Sequence, residues 1–470
     1  MIDMSSNLTF QDSHTVKMTE GERWLASMTY SLFVALAIVC LFLQYLAQRT
    51  KSQVSSGNNK HFLQFQKKYF IVYFLALFGD WLQGPYVYKL YSHYGFVESQ
   101  IAMLYVVGFG ASVLFGTGTG ALADRFGRKK MCICFSIMYS LCCLTKLSPN
   151  YYVLMLGRFL GGISTSLLFS TFESWYVYEH TQTYDFPTEW ISVTFSKATF
   201  WNGILAINAG VVADLTSEWF AFGPVSPFIV AIPFLLLSGA LVAQMWNENF
   251  GDQTTHSFKA CMEGLSLILL NEKILLLGIV QSVFESAMYI FVFLWTPILD
   301  PGKPPLGMVF SVFMICIMIG SSVYQLLSAK HVSSQKILTL AVFLSFFSMC
   351  LCVISTNPQD PKLMLSFIAF LVIEISVGLY FPSMSYLKSQ VIPESHRANI
   401  MNWFRVPLNI ITCLVLLWLH TEDSKAGNRI IFVDCSLMMF IGALVMWRLD
   451  SLLAHEDVTK GGKSSFHEEV

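Results

Sequence analysis

Eight charged residues interrupt long apolar runs in this sequence: Asp80, Lys89, Arg158, Glu173, Lys197, Glu285, Glu374 and Arg405. At bilayer depth a charged side chain costs on the order of 3 kcal/mol, so each one needs a reason to be there. Two chemistries suit the set: cations that grip an anion, and carboxyls (Asp80, Glu285, Glu374) that carry protons or pair with those cations. Lys197 and Arg405 fall at nearly matching places in the two halves of the chain, about two turns from the same membrane face, and would face each other across a central cavity. Pairing of Arg405 with a nearby acid is the alternative. Arg158 precedes Gly161 and Gly162, which let its helix sit close to a neighbour. Either it touches substrate, or it pairs permanently with Asp80 or Glu374. Glu173 either caps a gate or pairs structurally, and Lys89 reaches the interface along its alkyl stem.

Hydroxyl and amide donors surround these charges. Gln83 follows Asp80 by three residues, on one helix face. Tyr380, Ser383, Ser385, Asn402, Trp403 and Asn409 add further donors or aromatic surface. Donors beside a cation suit an oxyanion. Aromatic stripes, taken singly, are more often packing.

The elements that must position these groups are membrane helices. The chain has 470 residues, 54% hydrophobic and 13% charged, with a mean hydropathy of +0.56. That composition excludes a soluble globular protein. A net charge of −1 gives no reason to expect nucleic-acid binding. The eleven cysteines form no C-x-x-C or Cys/His metal pattern and read as packing residues. Gly462-Lys463-Ser464 resembles the end of a phosphate-binding loop, but Asp457 stands where its first glycine belongs. No catalytic constellation is present, so neither an enzyme nor a cofactor is expected.

Residues 1–23 are polar, carry a glycosylation sequon at Asn7 and are expected outside the cell. Residues 24–46 then form an extra span, read as retained because acids precede it and basic residues follow. A basic linker, 47–68, would be cytoplasmic. Twelve core spans follow, at about 69–91, 100–123, 130–147, 151–178, 191–213, 225–246, 273–298, 306–328, 335–356, 364–387, 398–420 and 429–449. They divide into halves at 69–246 and 273–449, joined by a cytoplasmic connection, 247–272, with an amphipathic stretch, and end in a cytoplasmic tail, 450–470. This arrangement puts most lysines and arginines inside and leaves Lys17, Arg23, Lys146, Lys303, Lys362, Lys425 and Arg429 outside.

The stretch Gly120-Ala121-Leu122-Ala123-Asp124-Arg125-Phe126-Gly127-Arg128-Lys129-Lys130 is a short basic hairpin between two spans. Gly127 can supply a positive φ for the reversal, and Asp124, at a helix end, calls for an arginine or a helix N-terminus as partner. The pattern resembles the signature loop of the major facilitator superfamily. The halves echo each other at an offset of roughly 205 residues: Asp80 maps onto Glu285, Pro187-Thr188-Glu189 onto Pro393-Glu394, and Phe169-Ser170-Thr171-Phe172 onto Phe381-Pro382-Ser383-Met384. Such repeats in transporters enclose substrate near mid-bilayer. The matching loop of the second half keeps only Lys330, His331 and Lys336.

The resemblance narrows over Gly79 to Tyr91, Ser140 to Ser148, Phe291 to Pro297, Gly378 to Ser385 and Asn402 to Leu408. These strings resemble the eukaryotic molybdate-anion transporters, from about Phe62 through the last core span. The resemblance implies high-affinity molybdate uptake at the plasma membrane, feeding molybdenum cofactor synthesis. It carries over no binding residues. Moving a dianion inward against an interior-negative potential costs about 4.6 kcal/mol per 100 mV; at least two protons carried by Asp80, Glu285 or Glu374 would cancel that charge, with anion exchange or intracellular trapping as the alternative. Two other functions fit the same residues: a facilitator-fold carrier for sulfate, a sugar or an organic anion, and a non-transporting receptor or scaffold.

Overall fold

The computed structural model describes residues 20–50, 59–251, 257–393, 397–419 and 424–465. The expected glycosylation site Asn7 and the end of the tail lie outside the described residues. Sixteen α-helices run through the described chain, with no strand among them. In order they are α1 (Glu20–Thr50), α2 (Lys60–Trp81), α3 (Val87–His93), α4 (Glu98–Phe126), α5 (Arg128–Thr145), α6 (Tyr151–Leu168), α7 (Thr171–Tyr178), α8 (Glu189–Asp214) and α9 (Ser226–Met245). The second half holds α10 (Ser257–Leu270), α11 (Glu272–Leu299), α12 (Leu306–Ala329), α13 (Ser334–Ser355), α14 (Leu363–Val391), α15 (Arg397–Leu419) and α16 (Ser424–Ser465).

Twelve stretches are long and apolar enough to cross a membrane, α2–α3 and α6–α7 each counting as one broken crossing. Helix α5 falls outside this set. Its first turn carries Arg128, Lys129 and Lys130, which lowers its mean hydropathy, yet it packs between α6 and α9 inside the bundle. In lipid a helix satisfies its own backbone, which explains why the fold is helical throughout.

Asparagine side chains start three of these helices. Asn59, Asn150 and Asn271 each accept two backbone N–H bonds from the first turn that follows. Asn59 explains why α2 begins at Lys60, within the stretch expected to be linker. The added turns bury Phe62 and Phe65 against His180, Tyr184, Phe186 and Trp190.

The halves are built on the same crossing. A side chain at Gly162 on α6 would collide with the Gly108 carbonyl on α4, and one at Gly378 on α14 would collide with the Ile317 carbonyl on α12. Only glycine permits backbones this close. Helix α1 stands outside this repeat. It packs along α12, where Cys40 joins Ile315, Met318 and Ile319 in a cluster that Phe200, Ile204 and Ile207 of α8 also border, and the Tyr30 hydroxyl donates to Asp214 at the end of α8 at 3.5 Å. It therefore bridges the two halves at their α8–α12 seam.

Candidate functional site

A cavity of about 550 Å³ lies between the halves, walled by α2, α4, α5 and α6 on one side and α11, α14 and α15 on the other. Four cationic side chains line it (Lys146, Arg158, Lys388 and Arg405), against two carboxyls, Asp80 and Glu285. If all six are ionised, four positive and two negative charges leave the wall two positive. Gln83, Gln281, Asn402 and Asn409 add amides.

In the first half, Asp80 accepts a hydrogen bond from the Tyr139 hydroxyl of α5. Arg158 lies over Gly108, where a Cβ would fall 2.8 Å from its Nη2. Its guanidinium sits 4.7 Å from the centre of the Tyr105 ring, and Nε donates to the Leu104 carbonyl at 3.3 Å. Among the described residues Arg158 has no carboxylate within ion-pair distance. The permanent pair with Asp80 or Glu374, one of the two sequence readings, is not formed.

The second half holds its acid in a related way. Glu285 is buried and accepts from the Tyr380 hydroxyl at 3.0 Å. The Tyr380 ring stacks on Phe284 at 3.9 Å and is fully buried. Tyr380 therefore holds Glu285 in place and does not itself line the cavity, where the sequence suggested substrate contact. Lys388 and Arg405 both lie close enough to act on the Glu285 charge. Asn402 is on the cavity wall one turn before Arg405, and Asn409 donates to the Arg405 carbonyl at 2.7 Å.

Two residues expected at the cavity are elsewhere. Lys197 is exposed, and its Nζ donates to the Gln66 side chain at 3.1 Å. Helix α8 packs against both α2 and α12, and Lys197 falls on the α2 side. No Lys197–Arg405 pair spans the cavity. Glu374 is 6% exposed, lies near Cys316 of α12, and makes no hydrogen bond or ion pair among the described residues. Lys89, expected to reach the interface alone, pairs with Asp300 of the other half at 2.5 Å.

That pair belongs to a seal. Tyr88 and Tyr105 meet Phe293 edge-on at 5.5 and 5.1 Å, Ser311 donates to the Ile207 carbonyl at 2.9 Å, and Gly210 packs on Gly307. All of these join one half to the other on the face away from the basic hairpin.

Comparison with known proteins agrees with this architecture. The family described as twelve-span sugar transporters, within the major facilitator superfamily, matches residues 28–373. The molybdate-anion transporter of Xenopus tropicalis is 46% identical over 431 residues, covering 91% of this chain and 95% of the relative. That of Xenopus laevis is 45% identical with the same coverage. The chain belongs to the molybdate-anion transporter family of the major facilitator superfamily. It is a multi-pass membrane transporter and not an enzyme. A solved peptide transporter in complex with sulfate shares the fold, with a TM-score of 0.66 at 11% identity, over 83% of this chain and 94% of that one.

In this member of the family the signature hairpin is clasped from within its own half. Asp124 pairs with Arg128 at 2.7 Å, and Arg128 also donates to the Ser174 carbonyl at 3.1 Å. Gly127 takes a φ of +104°, a conformation that strains any side chain. The segment after α9 closes over the turn: Glu248 accepts from the Lys129 N–H at 2.8 Å, and Arg128 N–H donates to the Asn249 carbonyl. Arg125 is exposed over the Phe126 ring, and Gly120 lies inside α4. A second cavity of about 730 Å³ borders this hairpin, with Arg128 and Glu173 on its wall.

Four contributors escape a sequence-only reading. Lys146 and Lys388 stand near span ends, where a lysine ordinarily points to water. Glu248 sits in a connection. Tyr139 is one of 19 tyrosines. Lys388 had a usable signal, since it follows Ser385 by three residues on α14 and so shares its helix face.

Proposed function

We propose that this protein carries molybdate into the cell by alternating access, binding the tetrahedral dianion between its halves. The observation that supports this best is the excess of cations on the wall of a single interhalf cavity, in a chain whose relatives are named molybdate-anion transporters. Arg158 and Arg405, one from each half, would grip the oxyanion with forked, charge-assisted donors. Gln83 and Asn402 would complete its coordination. A neutral sugar, which the broader family description suggests, gives no reason for four cations.

The basic hairpin marks the cytoplasmic face by the positive-inside rule. The seal through Lys89 and Asp300 is then extracellular, and the described state opens inward. Asp80 and Glu285, each held by a tyrosine hydroxyl, would take up protons with the anion and cancel its charge against the membrane potential. The test is molybdenum accumulation at nanomolar external molybdate, in cells lacking their own carrier, at matched surface expression. Wild-type uptake that Arg158→Gln and Arg405→Gln abolish supports the reading. No uptake with protein at the plasma membrane overturns it. Uptake unaffected by collapsing the proton gradient would remove the proton coupling and leave anion exchange or intracellular trapping.

A further inference from the structure

Lys146 is the least expected residue of the cavity. It caps the end of α5 and is 1% exposed, although a lysine at a helix end ordinarily extends to water. Its Nζ donates to the Tyr91 hydroxyl at 2.6 Å and lies 5.0 Å from the centre of the same ring. Its backbone is fixed as well, because its carbonyl accepts from the Tyr94 hydroxyl at 2.5 Å. An ammonium has three N–H donors. Here it meets one neutral acceptor, Tyr91, and no carboxylate of a described residue lies within ion-pair distance. Burying a charge this way is costly unless something negative completes it.

Arg158 has the same want. It too lines the cavity with no carboxylate partner, and it is close to both Tyr91 and Tyr105. Cys142, one turn before Lys146, lies near both cations. Tyr91 thus stands beside a pair of cations that converge on one wall.

We propose that Lys146, positioned by Tyr91, forms with Arg158 an oxyanion subsite in the first half, at which Lys146 donates to one oxygen of the bound tetrahedral dianion. This deepens the reading of the cavity as an oxyanion site and rests on it. The second-half cations sit beside Glu285, which offsets part of their charge. The first-half carboxyl, Asp80, is bonded to Tyr139 and pairs with neither Lys146 nor Arg158, which leaves both cations open to an anion.

The test uses the purified full-length chain in detergent, with melting followed in the absence and presence of molybdate, and of sulfate as a second oxyanion. Molybdate should raise the wild-type melting temperature. In Lys146→Met the apparent affinity for molybdate should fall at least about tenfold, the loss of one charge-assisted hydrogen bond. The ligand-free melting temperature of that variant should stay level or rise, since an unpaired buried charge has been removed. Lys146→Arg should keep part of the response, and Tyr91→Phe should weaken it less than Lys146→Met does. A Lys146→Met protein that answers molybdate as the wild type does would overturn the subsite while leaving the cavity reading intact. So would a variant whose ligand-free melting temperature falls, because Lys146 would then be a structural residue. A wild-type protein indifferent to both oxyanions removes the subsite and the oxyanion reading together.

Discussion

The two halves share a backbone plan but not a charge plan. Each has a glycine crossing, Gly108 with Gly162 in one and Gly320 with Gly378 in the other. Four residues before the second glycine of each crossing stands a charged residue: Arg158 in the first half, Glu374 in the second. Arg158 extends along Gly108 into the cavity, whereas Glu374 stays against α12 near Cys316 and lines neither of the two cavities described. The acids behave the opposite way. Asp80 and Glu285 occupy matching places, both line the cavity, and both accept from a tyrosine. The repeat is therefore kept in where the helices cross and not in which charges line the interhalf cavity.

The comparison breaks most visibly if Arg158 and Glu374 are exchanged for neutral residues. Arg158→Gln should lower molybdenum uptake by a factor of a hundred or more, the upper range for a lost charge-assisted contact. Glu374→Gln should leave uptake within about twofold, because it removes no cavity contact and no ion pair. Equal losses would mean the repeat positions still act alike. A smaller effect is expected at the hydroxyls. Tyr380→Phe and Tyr139→Phe each free a buried carboxyl oxygen of one bond, worth about 1–3 kcal/mol, and should cut uptake roughly tenfold at matched expression. The crossings sharpen the shared part of the plan. Gly162→Ala and Gly378→Ala should each destabilise the purified protein by about 1–3 kcal/mol through overpacking, read as a lower melting temperature. Lys197→Gln should change uptake least of all, since its ammonium contacts Gln66 outside the cavity.

Much of this was legible in the sequence. Asp80, Arg158, Glu285 and Arg405 announce themselves because charge is costly in apolar runs, and all four line the cavity. The hairpin is equally plain, with Gly127 at positive φ and Asp124 paired to Arg128. What stayed hidden is orientation. Lys197 sits at a repeat position like that of Arg405, but repeat position does not say which helix face meets the cavity, and its face packs toward α2. Lys89 and Lys146 near span ends both resembled residues reaching for water. One forms an ion pair across the halves, and the other is enclosed between Tyr91 and the cavity. Contacts between distant segments made that difference, as they did for Glu248, which reaches the hairpin from 119 residues away.

Helix α1 has a mechanical consequence. If the halves rock as proposed, opening the sealed face would part α8 from α12, and α1 touches both. Its packing on α12 is apolar, through Phe33, Leu36 and Cys40, and it reaches α8 through the Tyr30 hydroxyl, which donates to Asp214 at 3.5 Å. Apolar contact has no direction, so it resists separation while permitting sliding. In the proposed cycle α1 would act as a strap across the seam, letting the halves rock by shear and limiting how far that face could gape. A shorter crosslinking distance between α8 and α12 in the full chain than in one lacking α1, with the seal opened, would measure that limit.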